Sequence, residues 1–405
     1  MQTISFDFYS TLVVMVLVLL LGAFLNSRIK VLSKYNIPEA VVGGIIAASL
    51  FLLLRVFGDI KLSFDGSLKE PLMLAFFSSI GLLADFSSLK KGGKKLFIFL
   101  VITSVLLVLQ NAVGIGIATA LGENYLIGLL AGSITMSGGH GTGAAWASVF
   151  SAEPYNFAGA LEVAVAAATF GLVIGGIIGG PVAAYLIKKH KLKTPGDKTE
   201  IVHIPITELE AYKERKITQS SFIESLALLA ICLLVGVYVA DFVKRLELSS
   251  ITLPTFVYCL FTGVILRNSL SALKIHEVFD REVGLLGNVS LALFLAFALM
   301  TIDLVQLANL ALPIFSVLFV QSVLMVFFAI FVTFRFCGKD YDAAVLSAGH
   351  CGFGMGATPT AMVNMQAVCK NYGMSHTAFI IVPLCGAFFI DIVNSFVIKG
   401  FLSLF

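Results

Sequence analysis

Apolar runs of about 20 residues recur from one end of the chain to the other, each long enough to cross a hydrocarbon core about 30 Å thick. They do not alternate with polar faces, as the helices of a large water-soluble core must. Composition agrees with this. Hydrophobic residues make up 58% of the 405 positions and charged residues 13%, with a mean hydropathy of +0.98, against about half apolar and a quarter charged in an ordinary soluble domain. These features imply an all-α integral membrane protein held in a lipid bilayer, because backbone polar groups at membrane depth must be paired internally. The net charge of +3 points to no nucleic acid. Phe8–Leu25 reads as the first span and not as a cleaved leader: no basic stretch precedes it, and Arg28, Ile29 and Lys30 follow where small residues would mark a cleavage site. The six cysteines have no metal-ligand spacing and imply buried free thiols.

Ten spans are expected, five in each half. The first five lie at 8–25, 38–57, 71–86, 96–121 and 157–187, and the second five at 222–242, 254–266, 283–301, 312–334 and 376–398. Between spans four and five of each half lies a Gly-rich segment, at about 124–156 and 340–372. The chain therefore divides into a first repeat (1–187), a basic linker (188–217) and a second repeat (218–405). Pairs of matching features recur in the same order, 216 to 218 positions apart. Ile37-Pro38 matches Leu253-Pro254, and Asp85 with Leu89 matches Asp303 with Leu307. Ser104-Val105-Leu106 matches Ser322-Val323-Leu324, and Gly122 before Asn124-Tyr125 matches Gly338 before Asp340-Tyr341. Each match is weak, but their common order indicates an internal duplication.

Basic residues fix an orientation, since Lys and Arg concentrate on the cytoplasmic side. Arg28, Lys30 and Lys34, then Lys90, Lys91, Lys94 and Lys95, then the linker, then Arg267, Lys274 and Arg281, then Arg335 and Lys339 all fall on one face if each half crosses five times. Both termini are then outside and the linker cytoplasmic. An odd number of spans per half makes the repeats inverted, an arrangement common in secondary transporters. The count requires each Gly-rich segment to dip into the membrane and return on its own side, as a re-entrant loop or broken helix.

Those segments carry the candidate chemistry. Gly at such density disfavours helix by about 1 kcal/mol per residue relative to Ala, and broken helix at membrane depth is tolerated only inside protein or beside a polar cavity. The freed N–H groups at a helix start hold carboxylates, and freed carbonyls at a helix end hold sodium. Candidate substrate-binding residues are Thr135, Ser137, Gly138, Gly139, His140, Gly141, Thr142 and Gly143 in the first segment, with Asn111 in the preceding span. In the second segment they are His350, Gly352, Gly354, Gly356, Thr358 and Thr360. The alternative for either histidine is a satisfied structural donor, and for Gln110-Asn111 a hydrogen bond to a neighbouring helix. Gly175, Gly176, Gly179 and Gly180 read as close helix packing.

Acids inside spans are costly and usually functional. Asp391, with Asn394 and Ser395 about one turn further on, forms a candidate Na⁺ ligand set, to which Asn364 and Glu162 are added. Asp85 and Asp303 fall near span ends and read as solvated. No Arg lies between Arg55 and Arg215 and none sits mid-span, so an anionic substrate would rest on backbone N–H groups, hydroxyls and nearby Na⁺ in place of a guanidinium clamp.

Two stretches make a family resemblance specific. Gly138-Gly139-His140-Gly141-Thr142-Gly143-Ala144-Ala145-Trp146 and the run from Gly349-His350-Cys351-Gly352 to Thr358-Pro359-Thr360-Ala361 resemble the paired loop sequences of the glutamate:sodium symporter family. Pro71-Leu72-Met73-Leu74-Ala75-Phe76-Phe77, Leu286-Gly287-Asn288-Val289-Ser290 and Gly386-Ala387-Phe388-Phe389-Ile390-Asp391 fit as well, so the likeness covers nearly everything but the linker. It implies Na⁺-coupled uptake of L-glutamate across a bacterial inner membrane, which makes the outside termini periplasmic. It also implies a homodimer, and two re-entrant loops from opposite faces lining one site.

The expected function is therefore sodium-coupled symport by alternating access, with Na⁺ as the co-transported ion and no enzymatic step. A sodium/proton antiporter would share the repeats and buried acids but needs a denser acidic or Lys-containing centre. A channel would keep a continuous pore. An intramembrane enzyme would need a nucleophile–base set, for which Ser137 with His140 lacks an orienting partner.

Overall fold

The computed structural model describes residues 2–35, 37–195, 216–246 and 253–405. Strand β1 (Gln2–Phe6) leads into helix α1 (Phe8–Arg28), a short α2 (Lys30–Lys34), α3 (Glu39–Gly58) and strand β2 (Ile60–Phe64). Next come α4 (Lys69–Leu83), α5 (Ser88–Ala120), α6 (Tyr125–Ile134), α7 (Gly139–Ser151) and α8 (Ala160–Lys189). The second half begins with α9 (Gln219–Arg245), α10 (Thr255–Leu273), α11 (Asp280–Met300), α12 (Leu304–Asn309) and α13 (Ala311–Phe336). It ends with α14 (Tyr341–Phe353), α15 (Thr358–Tyr372), α16 (His376–Leu384) and α17 (Ile390–Leu402). Most of the basic linker, residues 196–215, lies outside the described residues.

Among the described residues eight helices are long and apolar enough to cross a membrane: α1, α3, α5 from Gly93 onward, α8, α9, α10, α11 and α13. The other two expected spans depart from that standard. The 71–86 segment forms α4, whose 15 residues extend only about 22 Å at 1.5 Å per residue. The 376–398 segment is one helical path interrupted by a π-helical turn at Cys385–Phe389. Pro383 accounts for the interruption, because it removes one backbone donor and crowds the preceding turn. Asp391 stands two residues after this turn. The four helices of the Gly-rich segments, α6, α7, α14 and α15, have at most 15 residues each, too few to cross alone.

Local geometry repeats between the halves. Pro38 precedes α3 at φ −59°, ψ 140°, and Pro254 precedes α10 at φ −60°, ψ 148°. The Asp85 carboxylate accepts from Ser87 N–H, and the Asp303 carboxylate from Val305 N–H. Asn124 and Asp340 cap the first helix of the two Gly-rich segments. Gly122 and Gly338 precede them at φ +77° and +124°, a region that L side chains avoid.

Helices α1, α3 and α4 pack with α9, α10 and α11 into one panel, three from each half. The rest, α5 to α8 with α13 to α17, form a second body. Small residues let this body close. On α8, a Cβ at Gly171 would stand 2.0 Å from the Met355 carbonyl oxygen, and one at Gly179 would stand 2.2 Å from Asn364 Nδ2. Gly175 also faces the second segment, whereas nothing lies within 4 Å of a Cβ at Gly180. The packing expected of all four glycines thus holds for Gly175 and Gly179, is looser at Gly176, where a Cβ would stand 3.5 Å from Thr360 and 3.6 Å from Tyr35, and is absent at Gly180, with Gly171 continuing the i, i+4 row. All six cysteines are buried free thiols.

The fold also carries a small parallel sheet that an all-α reading misses. Residues Gln2 to Phe6 of β1 pair with Ile60 to Phe64 of β2. Its signal is a five-residue apolar/polar alternation at Ile60-Lys61-Leu62-Ser63-Phe64, too short to stand out beside a 20-residue span. The pairing has a topological consequence: α1 and α3 leave from and return to the same side.

Candidate functional site

Each Gly-rich segment is two short helices joined by a break. In the first, Gly132 departs from helical geometry (φ −94°, ψ −139°) and α7 restarts at Gly139, where φ is +66°. A Cβ at Gly139 would stand 3.3 Å from the carbonyl oxygen of Gly356, so the two breaks meet tip to tip. In the second, α14 ends at Phe353 and α15 restarts at Thr358 with Pro359 in its first turn, where a missing N–H costs nothing.

Capping distinguishes the two ends of each segment. The Asn124 and Asp340 side chains cap the outer starts. The starts of α7 (at Gly138) and α15 (at Ala357) carry no side-chain cap. Two helix N-termini, each equivalent to roughly half a positive charge, therefore present backbone N–H groups to the place where the segments meet.

That place is a cavity of about 580 Å³ between the panel and the second body. The second body contributes Ser137, Gly138, Gly139, His140, Gly141, Gly356, Thr358 and Asp391, and the panel contributes Glu39, Phe76, Ser79, Asn288 and Leu291. Among the described residues no Lys or Arg lines it. Thr142 Oγ1 donates to Asp391 Oδ1 at 3.5 Å, tying α7 to α17. Thr358 Oγ1 donates to the Gly386 carbonyl at 3.1 Å, tying the start of α15 to the π turn before Asp391. His140 Nε2 lies 3.0 Å from Thr169 Oγ1. The chemistry offered is dipolar N–H groups for carboxylates beside a carboxylate and carbonyl oxygens for a hard cation.

The other expected residues support this cavity from behind. Asn111 Oδ1 accepts from Ser133 N–H (2.9 Å), and Thr135 Oγ1 donates to the Leu130 carbonyl (2.6 Å). Gly143 faces Thr135 and Ala164, and Gly352 faces the backbone of Ala361. Asn394 exchanges bonds with Ser133, accepting from its Oγ (2.6 Å) and donating to its carbonyl (3.0 Å). Ser395 Oγ donates to the Asp391 carbonyl within α17. Asn364 donates to the carbonyls of Gly175 and Ala348. Thr360 is buried with no partner for its hydroxyl among the described residues. The structure therefore brings Asp391 to the cavity, but Asn394, Ser395 and Asn364 to hydrogen bonds behind it. Glu162 lies elsewhere, accepting from Asp303 N–H at 2.9 Å. His350 is fully buried against Phe99, Phe328 and Phe353 and bonded to Thr333, a packing position away from the cavity.

With this geometry in view, the comparisons with known proteins are decisive. A family model described as sodium/glutamate symporter matches residues 4–374. The chain belongs to the sodium/glutamate symporter family. It is 54% identical over 398 residues to a protein named sodium/glutamate symporter in Escherichia coli (strain K12), covering 98% of each chain. It is 51% identical to one of the same name in Haemophilus influenzae, covering 98% of this chain and 97% of that one. A solved sodium proton antiporter from Methanocaldococcus jannaschii aligns over 97% of each chain at 16% identity with a TM-score of 0.42, from which we draw nothing.

Of the two readings open for Gln110-Asn111 in this symporter-family chain, substrate contact or a hydrogen bond to a neighbouring helix, the second describes Gln110. Its Oε1 accepts from Ser137 Oγ (2.9 Å), its Nε2 donates to the Gly354 carbonyl (2.7 Å), and its backbone carbonyl accepts from Gln321 Nε2 (2.6 Å). One buried amide thus links both breaks. The signal was a polar pair in mid-span, but only coordinates tell which member reaches both segments. Gln110→Leu leaves the Ser137 hydroxyl and Gly354 carbonyl unpaired, at a cost of about 1–3 kcal/mol per buried group. We expect uptake to fall by roughly tenfold while detergent-purified protein stays monodisperse, as measured by initial rates and gel filtration. Unchanged uptake would remove Gln110 from the supporting shell.

Proposed function

We propose that this chain takes up glutamate together with Na⁺ by alternating access, with the cavity between the panel and the second body as the transport site. The observation that carries the reading is the convergence of two uncapped helix starts, one from each half, on a space that also holds Asp391 and, among the described residues, no Lys or Arg. The N–H groups of α7 and α15 receive the substrate carboxylates. Asp391, with the hydroxyl of Thr142 and freed carbonyls of the breaks, receives Na⁺. A cation there offsets the cost of a carboxylate at membrane depth and adds positive potential for the substrate, so each ligand favours binding of the other.

The Gly-rich segments act as re-entrant loops of two inverted five-span repeats, a reading supported by their short helices and by the matched order of caps and turns in the halves. The positive-inside pattern supports a bacterial inner-membrane orientation with periplasmic termini. In that orientation the cavity lies toward the cytoplasmic ends of α3, α4 and α11. The second body carries both segments and moves against the panel, which stays fixed within a homodimer. Inward movement of each net positive charge gains about 2.3 kcal/mol per 100 mV of membrane potential.

The test is L-[³H]glutamate uptake into proteoliposomes under an inward Na⁺ gradient or an equal K⁺ gradient. Concentrative uptake with Na⁺ alone is expected. Equal uptake under the two gradients would overturn Na⁺ coupling, and none under either would overturn the choice of substrate.

A further inference from the structure

We infer that a second cavity, on the far side of the same interface, is an entry site for the anionic amino-acid substrate, with Lys69 and Lys399 as its carboxylate-recruiting groups; the substrate class rests on the transport reading above. This cavity has a volume of about 840 Å³. Three helices run from one cavity to the other. On α4, Lys69, Glu70 and Met73 line the second cavity, while Phe76, Ser79, Ile80 and Leu83 line the first. On α7, Trp146 and Val149 line the second and Gly139 to Gly141 the first. On α17, Lys399 lines the second and Asp391 the first, eight positions and about 12 Å apart along the helix.

The internal duplication gives independent support. Pro254, Thr255 and Phe256 of the second cavity stand 216 positions after Pro38, Glu39 and Ala40 of the first. One edge of each cavity is therefore built from corresponding positions of the two halves, as suits an outward and an inward mouth related by the duplication. Between them lies an aromatic plug. Phe77 and Phe256 have ring centroids 4.4 Å apart, Trp146 stands 5.7 Å from Phe256, and all three are 1% exposed.

Charge separates the mouths. Among the described residues the first is lined by Glu39 and Asp391 with no Lys or Arg, while the second has Lys69 on the panel and Lys399 on the second body, together with Glu70 and Glu153. A substrate with two carboxylates and one ammonium matches two ammonium groups flanked by carboxylates. Cationic groups at the receiving mouth raise the local substrate concentration and the association rate. Since one lysine belongs to each body, movement of one against the other parts the pair and releases the substrate inward.

The experiment compares Lys69→Gln, Lys399→Gln and their double variant with the Arg replacements at both positions. For the double Gln variant, the KM for Na⁺-driven glutamate uptake should rise at least about fivefold with kcat changed less than about twofold, and its dependence on ionic strength should flatten. The Arg variants should restore it. Ala152 lines this cavity and is exposed, while the six native thiols are buried, so Ala152→Cys supplies a readout that needs no transport. Its reaction with a negatively charged thiol reagent should slow at least about twofold in the double Gln variant while its reaction with a neutral reagent of the same kind holds. Unmoved KM together with an unmoved rate for the charged reagent would overturn the entry site and leave the transport reading intact. Wild-type protein that accumulates no glutamate would count against the transport reading, with the labelling rates still deciding whether the lysines recruit anions.

Discussion

Asp391→Asn should reduce Na⁺-driven glutamate uptake by at least about a hundredfold, a loss of about 2.7 kcal/mol of transition-state stabilisation. The substitution keeps the shape and removes the charge. Among the described residues Asp391 is the one charged residue of the second body that lines the first cavity, and it sits two residues after the π turn that interrupts the last helical path. A carboxylate at that depth is retained against a desolvation cost of several kcal/mol only if a cation regularly neutralises it. Asp391→Glu keeps the charge but lengthens the side chain by one methylene, so a partial loss with a raised Na⁺ requirement is expected. Thr142→Ala removes only a 3.5 Å hydrogen bond to the carboxylate and should cost no more than about tenfold. Initial uptake rates across a series of Na⁺ concentrations separate these cases. Asp391→Asn protein with unchanged rate and Na⁺ dependence would eliminate this residue as the cation ligand and move attention to the freed carbonyls of the two breaks.

How far such a site was legible in the sequence depends on what each residue had to signal. Asp391 announced itself because a lone acid in an apolar run is expensive, and it does line the cavity. The glycines of both segments announced themselves through density, and Gly138, Gly139, Gly141 and Gly356 line the cavity beside them. Asn394 and Ser395 were placed with Asp391 by helical spacing alone. The same spacing permits a turn toward either neighbour, and the Asn394 amide is taken up by Ser133. His350 was drawn in by analogy with His140, but three phenylalanine rings around it are contacts that no single-chain pattern encodes. The panel side of the cavity, Glu39, Ser79 and Asn288, was invisible as a site because those residues lie in other helices and meet the second body only through tertiary packing. The order of spans was legible because bilayer thickness imposes a length. The 15-residue α4 and the broken α16–α17 path were less so, since neighbouring helices relieve the length requirement wherever a segment is enclosed by protein.

Gly171→Val should abolish assembly of the second body, whereas Gly180→Val on the same helix should leave it intact. The two positions are nine residues apart, which places them on opposite faces of α8 at 3.6 residues per turn. Toward one face, Gly171, Gly175 and Gly179 form a row four residues apart against α14 and α15. A Cβ at Gly171 would come within 2.0 Å of the Met355 carbonyl oxygen, and that oxygen belongs to backbone and not to the end of a flexible side chain. The second break would have to retreat by more than an ångström, taking with it Gly354, whose carbonyl is held by Gln110, and Gly356, which meets Gly139 at the cavity. Overpacking in a closed interior costs about 1–3 kcal/mol even when side chains can adjust, and here the obstacle is main chain. Toward the other face nothing lies within 4 Å of a Cβ at Gly180, so an added isopropyl group meets open space. Gel filtration and thermal unfolding of purified protein, followed by uptake, read the difference. Gly171→Val is expected to give aggregated or transport-dead protein and Gly180→Val uptake within about twofold of the parent. If Gly171→Val folded and transported normally, close contact between α8 and the second break would not be needed in any state of the cycle, and the second body would not move as one packed unit.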